Sequence, residues 1–488
     1  MSKSVALQRI YVSKSVVNVC FYVSKSVALQ RIYVSKSVVN TCFYVSKSVT
    51  LQQIYVSKSV IVMERIVLKQ LIEWKKSADR KPLILNGARQ VGKTWLLQEL
   101  ARKEYKKQAY IVCRKNELVR QVFAQDFDVE RILRALCAIT GVDITPGDTL
   151  IILDEVQDIP EAIEALKYFR EEAPQYHIAV AGSLLGISLH EGVSYPVGKV
   201  DEINVYPMNF REFLLAKGED EMCKLLDAKD YQTTNLIHEK YVDLLRQYYY
   251  VGGMPEAVKK YIDTAGLQEV RKIQENILVG YEKDFSKHAP KDLVPRIRQV
   301  WKSMPSQLFK ENKKFIYGVI KKGARAKEFE LAIQWLVDAG LVYKVSRCTK
   351  PASPLGIYED VSIFKLYMVD VGLLGAMVKA DPATILIKNN KFTEYKGGMT
   401  EQYVLQQFKS EGVAPIFYFS ADDSRLEMDF LIEAKGNIVP IEVKAEENVK
   451  ANSLMNFLQR HPDITGRRYS MLPYIRQEQL LCIPLYMV

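Results

Sequence analysis

Pro82-Leu-Ile-Leu-Asn86, then Gly87-Ala88-Arg89-Gln90-Val91-Gly92-Lys93-Thr94, then Trp95-Leu-Leu-Gln-Glu-Leu-Ala101 is the stretch that decides the fold. The first five residues form a short apolar run, the pattern of a strand buried on both faces. The last seven have the apolar spacing of a helix. Between them stands G-x-x-x-x-G-K-[ST], in the strand-to-helix setting where that spacing has a physical meaning. Its glycines let backbone N–H groups curl around phosphate oxygens, and the helix N-terminus adds a favourable dipole. The expectation is a phosphate-binding loop in which Lys93 reaches the β- and γ-phosphates and the Thr94 hydroxyl binds Mg²⁺.

A second segment agrees. Thr149-Leu-Ile-Ile-Leu153 reads as another buried strand and ends in Asp154-Glu155. An acidic pair at a strand's C-terminal end can place Asp154 on the Mg²⁺ shell and Glu155 beside an attacking water. Taken alone, such a pair also suits the first turn of a helix. His177-Ile-Ala-Val-Ala181 then runs into Gly182-Ser183, where Ser183 either senses a γ-phosphate or caps a turn.

These residues, with Ser194-Tyr-Pro-Val-Gly-Lys199, Tyr206-Pro-Met-Asn-Phe210, Gly252-Gly-Met-Pro-Glu256, Tyr281–Lys287 and Lys365–Leu374, resemble a prokaryotic group of AAA-type ATPases. The resemblance runs from about Met63 to Val488. It implies an ATPase core, a small helical lid and a C-terminal domain long catalogued as of unknown function. Where the pattern usually carries Arg, this chain has Lys199, which supplies charge without a bidentate fork. No arginine finger is therefore assigned.

The chain has 488 residues, 48% hydrophobic and 26% charged, the composition of an ordinary globular protein with room for about three domains. No uncharged apolar run approaches the ~18–20 residues of a membrane span. The seven cysteines form no CxxC pair and the N-terminus lacks a signal-peptide layout, which argues against zinc fingers, disulfide scaffolds and secretion. A cytoplasmic setting with reduced thiols is expected. The net charge of +11 suggests a polyanion partner, but residues 1–62 hold six Lys and two Arg with no acid. The remainder, at +3, is close to neutral, so only local patches bear on partners.

Ser-Lys-Ser-Val recurs at Ser2, Ser13, Ser24, Ser35, Ser46 and Ser57, a period of 11. That period can describe a right-handed coiled coil. Tyr, Val and Ser favour strands instead, and a stacked β-unit is the structural alternative. The expectation is an appendage without a part in the chemistry, or translated tandem DNA repeats ahead of a true start near Met63.

The middle of the chain reads as helix–turn–helix and hairpin. Lys313–Ile320 and Arg325–Ala339 are helical, the second stopped by Gly340, and Leu341-Val-Tyr-Lys-Val345 follows as a first wing strand. Lys321, Lys322, Arg325 and Lys327 make this a candidate duplex-binding winged helix, the alternative being a protein–protein spacer.

Near the C-terminus, Leu426–Glu433 and Ile438–Lys444 flank a two-residue turn at Lys435-Gly436. Pairing Ala434 with Asn437 sets Asp429 opposite Glu442, with Lys444 on the same face. Two carboxylates across a ladder repel, and a divalent metal would offset that. The pattern resembles PD-(D/E)xK nucleases, with Asp429, Glu442 and Lys444 joined by Glu401 on a preceding helix that Thr400 can cap. The resemblance implies Mg²⁺ or Mn²⁺ bound by Glu401, Asp429 and Glu442, with Lys444 stabilising the phosphoryl transition state.

The expected architecture is therefore α/β. A repeat appendage (1–62) precedes a P-loop NTPase core of parallel sheet and flanking helices (63–208). A helical lid (209–291), a winged-helix-like domain (292–384) and a small α/β nuclease-like domain (385–488) follow. Residues 87–94, Asp154 and Ser183 are expected to hold MgATP, with Lys93 and Glu155 catalytic. DNA is the expected macromolecular partner, with a homo-oligomer allowed and no membrane association. The alternative is a nucleotide-dependent switch or scaffold whose nuclease-like domain does not cut.

Overall fold

The computed structural model describes residues 63–183, 186, 195–310, 313–386, 393–421, 426–445 and 452–488, together with five short strands in the first 62 residues. The chain divides into two compact units, Met1–Met63 and Glu64–Val488.

In the first unit, β1 (Ile10–Tyr11), β3 (Ile32–Ser35) and β5 (Ile54–Ser57) pair in parallel, and β2 (Val19–Tyr22) pairs in parallel with β4 (Thr41–Tyr44). The register sets Ile10 beside Ile32, Ile32 beside Ile54 and Cys20 beside Cys42. The sequence repeat is 11 residues, yet pairing joins every second copy, because alternate copies are the near-duplicates.

The second unit begins with α1 (Val67–Lys76) and a five-stranded parallel sheet. Its strands are β6 (Leu83–Asn86), β7 (Lys107–Val112), β8 (Thr149–Asp154), β9 (His177–Ala181) and β10 (Asp201–Asn204), in the order β10-β6-β9-β8-β7. Every residue of β8 and β9 is buried, which is why both strands read as unbroken apolar runs. Between the strands lie α2 (Lys93–Glu104), α3 (Glu117–Gln125), α4 (Val129–Thr140) and α5 (Pro160–Glu172). One core of Ile111, Phe123, Leu136, Ile151, Leu153 and Phe169 joins sheet and helices. Local signals set the helix ends. Asp128 caps α4 by accepting from Arg131 N, and Gly141 ends it at φ 67°.

A helical segment follows: α6 (Phe210–Ala216), α7 (Asp220–Asp227), α8 (Tyr231–Leu236), α9 (His238–Val251), α10 (Pro255–Thr264) and α11 (Leu267–His288). A reciprocal Asn209–Glu212 capping box starts α6. Then come α12 (Val294–Leu308), α13 (Tyr317–Ile320) and α14 (Ala326–Asp338), leading into β11 (Val342–Cys348) and β12 (Glu359–Met368), with α15 (Val371–Met377) and α16 (Pro382–Leu386) beyond. The C-terminal segment contains α17 (Thr393–Ser410), β13 (Ile416–Ser420), β14 (Glu427–Ala434), β15 (Asn437–Val443), α18 (Asn452–Arg460), β16 (Gly466–Ser470), β17 (Ile475–Gln477) and β18 (Leu480–Pro484).

The hairpin expected to be a wing is not free-standing. β11 pairs antiparallel with β12 on one side and parallel with β13 on the other, within a single sheet ordered β12-β11-β13-β14-β15-β16-β18-β17. This sheet crosses the boundary expected at residue 384. Among the described residues no helix is long and apolar enough to cross a membrane.

Candidate nucleotide site

The loop after β6 takes its shape from two glycines. Gly87 has φ 143°, and a Cβ there would lie 2.2 Å from Val205 O; Gly92 has φ 97° and starts α2 directly. Neither position accepts a side chain without moving backbone. Arg65 braces the loop from behind. Its buried guanidinium donates to Val91 O at 2.8 Å, Tyr206 O at 2.8 Å and Glu212 Oε1 at 3.0 Å.

Lys93 is buried, and its Nζ donates to Gly87 O and Ala88 O, both at 2.7 Å. Burial pushes its pKa down to about 8, while Glu155 and Asp154 pull the other way. Thr94 Oγ1 donates to Asp154 Oδ2 at 2.8 Å, and Tyr110 OH donates to the same oxygen at 2.9 Å. Burial, then that hydrogen bond, pushes the Tyr110 phenol up to about 12, so it stays a donor. Asp154 Oδ1 accepts from Glu155 N at 3.0 Å. Glu155 sits at φ 54°, and its Oε2 accepts from Gln157 Nε2 at 2.5 Å and from Ser183 Oγ at 3.5 Å.

The structure thus brings Lys93, Thr94, Asp154, Glu155 and Ser183 to one cleft at the C-terminal ends of β6, β8 and β9. A nucleotide with Mg²⁺ fits this set. A buried ammonium rests on two loop carbonyls, a hydroxyl and a carboxylate already converge 2.8 Å apart, and a helix N-terminus faces them. Lys199 lies apart from this cleft, paired with Glu171 at 2.9 Å. Ser194 of the same motif falls outside the described residues.

Two helical elements from later in the chain also touch the loop. Arg89 Nη1 donates to both carboxylate oxygens of Asp284 on α11, at 2.7 and 2.8 Å, and Tyr281 OH donates to Arg89 O at 2.9 Å. Gly340, at φ 69° just past α14, approaches so closely that a Cβ there would stand 3.2 Å from Ala88 N. A cavity of about 360 Å³ opens beside this contact, lined among others by Gly87, Ala88, Ser183, Tyr206, Gly340 and Tyr343. Arg65 and Tyr110 carry no sign in the sequence, which marks Tyr281 and Asp284 only within a resembling segment and Gly340 only as a helix stop. None lies in a phosphate-loop or acidic-strand motif, and only the packing of distant segments gives them their roles.

The C-terminal carboxylates divide into two groups. Ala434 pairs with Asn437 around a Lys435-Gly436 turn with both residues at positive φ, as the sequence indicated. Along β13, however, Phe417 pairs with Leu431 and Phe419 with Met428, so β14 carries one extra residue. Such a bulge resets the alternation of faces. Asp429 neighbours Glu401 on α17 and accepts from Val443 N at 2.7 Å. Glu442 is held instead by Arg468 at 3.1 Å and Lys444 at 3.2 Å. Glu442 and Lys444 stay together as expected, but the bulge takes Asp429 out of that group and sets it beside Glu401.

Glu401 is itself ion-paired with Lys313 and accepts from Tyr367 OH at 3.2 Å. The buried Lys365 lies near by, 2.7 Å from Glu427. Burial and the Glu401 charge push Asp429 up. Burial opposes ionisation of Glu401 as well, yet Lys313 and Lys365 hold it low. Among the described residues no group of three or more His, Cys, Asp or Glu is set to hold a metal ion. Thr400 is no cap, since α17 begins at Thr393 and the Thr400 hydroxyl donates to Lys396 O.

Residues 79–214 match the family model described as AAA domain. Residues 242–384 and 396–482 match two models described as Domain of unknown function, DUF8612 and DUF4143. No curated protein matches the chain. Solved structures similar to it include the Walker-type ATPase PABY2304 of Pyrococcus abyssi, at 14% identity and TM-score 0.42, covering 65% of this chain and 96% of that one. The Aeropyrum pernix ORC1 protein in complex with DNA matches at 14% identity and TM-score 0.26, covering 66% and 93%. The Thermotoga maritima RuvB Holliday junction branch migration motor matches at 12% and 0.27, covering 59% and 89%. The chain carries an AAA-type, ATP-binding P-loop domain.

Proposed function

We propose that this chain binds and hydrolyses MgATP and uses its nucleotide state to set how its C-terminal half engages DNA. The observation that carries this reading is the convergence of Lys93, Thr94, Asp154 and Glu155 on one cleft whose loop is also gripped by α11 and Gly340. Loop amides and the α2 N-terminus receive the phosphates, and Lys93 exchanges its loop carbonyls for phosphate oxygens. Thr94 and Asp154 would hold Mg²⁺, with Tyr110 fixing the Asp154 rotamer. Mg²⁺, when bound, neutralises charge on the transferring phosphoryl group. Glu155, steadied by Gln157 and Ser183, polarises the water.

DNA enters through local charge. Residues 291–327 contain eleven Lys or Arg against two acids, and Arg296, Lys302, Lys321, Lys322, Arg325 and Lys327 are all exposed. The test is a pair of variants. Lys93→Ala should abolish nucleotide binding. Glu155→Gln should bind ATP, lower turnover by roughly 10²-fold or more and shift affinity for duplex, forked or junction DNA. Nucleotide binding retained in Lys93→Ala would overturn the site, and unchanged DNA affinity in Glu155→Gln would overturn the coupling.

The C-terminal domain fits a binding role, because basic side chains already neutralise Glu401, Glu427 and Glu442. One observation favours metal-dependent cleavage as a second reading, namely the half-buried Asp429 beside the buried Glu401. Cleavage of DNA with Mn²⁺ that disappears in Asp429→Ala and Lys444→Ala would establish it. Equal cutting by those variants, or none by the wild type, leaves the switch.

A further inference from the structure

Arg89 is the one position of the phosphate loop whose side chain bonds to a later helix. Its side chain is 35% exposed, while that of Asp284 is 11% exposed, so the pair stands at the rim of the cleft. Both hydrogen bonds use Nη1 alone. Among the described residues the rest of the guanidinium makes no further hydrogen bond, leaving part of its donor fork for an incoming anion. Tyr281, one helical turn before Asp284, holds the backbone of the same residue. Glu155 adds to the stabilisation of the Arg89 cation after the Asp284 hydrogen bond and charge, which places the guanidinium within electrostatic reach of the residue that handles the water. Lys199, where a finger would be sought, is engaged with Glu171.

We propose that the Arg89 side chain senses the γ-phosphate, leaving Asp284 for that anion when ATP but not ADP is bound and so untying α11 from the loop. This deepens the ATPase reading and rests on it. A guanidinium fork matches a pair of oxygens on a carboxylate or on a tetrahedral phosphate, and a phosphate of higher charge outcompetes a single carboxylate. Release of Asp284 would then be the first movement passed to the helices beyond the nucleotide domain.

The experiment measures ATP and ADP affinity on the full chain for wild type, Arg89→Ala, Arg89→Lys and Asp284→Asn, with hydrogen exchange of α11 as a second readout. Removing one charge-assisted contact to the γ-phosphate should lower the ATP-to-ADP affinity ratio of Arg89→Ala by about tenfold or more. Arg89→Lys should recover part of the ATP preference, and Asp284→Asn should tighten ATP by a few fold because the competitor is weakened. In wild type, a non-hydrolysable ATP analogue should speed exchange in α11 relative to ADP, and Arg89→Ala should erase that difference. An unchanged ATP-to-ADP ratio in Arg89→Ala, or weaker ATP binding in Asp284→Asn, overturns the sensor. Failure of the wild type to bind either nucleotide overturns the ATPase reading itself, which separates the two.

Discussion

Lys93 combines deep burial with contacts to backbone carbonyls only, and this gives the nucleotide site a pH signature. Burial lowers its folded-state pKa from 10.5 to about 8. Between those values the unfolded chain holds a proton that the folded chain has released, so stability rises with pH across that window. Binding a polyanion restores the proton, so affinity moves the opposite way. Nucleotide affinity should be flat below about pH 8 and then fall by about tenfold per pH unit. A fluorescent ATP analogue titrated from pH 7 to 10 checks this, and constant affinity to pH 9.5 would contradict it. Lys93, Thr94, Asp154 and Glu155 were legible in the sequence because their spacing is local to one turn or one strand end. Tyr110 was not, since its hydroxyl meets Asp154 only once β7 and β8 lie side by side. Arg65 is similar: its three acceptors come from Val91, Tyr206 and Glu212, far apart along the chain.

At the scale of elements, α17 departs furthest from its sequence. Helical spacing puts Glu401, Val404, Leu405 and Phe408 on one stripe, yet Thr400, Gln402, Gln406 and Gln407 are buried too. Their amides serve backbone groups of neighbouring segments. Gln402 bonds both N–H and C=O of Met368, and Gln407 accepts from Phe210 N. Gln406 accepts from Val371 N at 2.8 Å and donates to Asp370 Oδ2 and Tyr248 OH, both at 3.0 Å. A polar residue on a helix ordinarily signals water, so period alone could not reveal a helix enclosed on every side. Gln406→Leu, of similar bulk, would strand the Val371 N–H and remove a donor from the buried Asp370. About 2–3 kcal/mol of stability should be lost, read by denaturant unfolding; a loss under about 0.5 kcal/mol would mean the network relaxes around the change. Asp370 also accepts from Gly253 N at 2.6 Å, so the same amide cluster ties the helical segment to the C-terminal sheet.

Across the whole molecule, one division suggested by motif order, the boundary at 384, is not a division of packing. The boundary at 384 followed from a change of pattern between a helix–hairpin unit and a nuclease-like unit. Parallel pairing of β11 with β13 merges them, and such pairing leaves no local trace in the sequence. Residues 64–488 should therefore unfold in one calorimetric transition, raised as a whole by MgATP, with no separate C-terminal melt. Two or more resolved transitions would show that the shared sheet does not enforce cooperativity. That pairing also has a bearing on biosynthesis. Cys348 closes β11, and its parallel neighbour begins only at Ile416. At ~5–20 residues per second, the ribosome delivers β13 several seconds after β11 is complete. During that interval the nascent hairpin offers an open backbone edge to anything extended and nearby. The nascent chain thus passes through a window in which a chaperone's protection counts for more than it does once the sheet has closed.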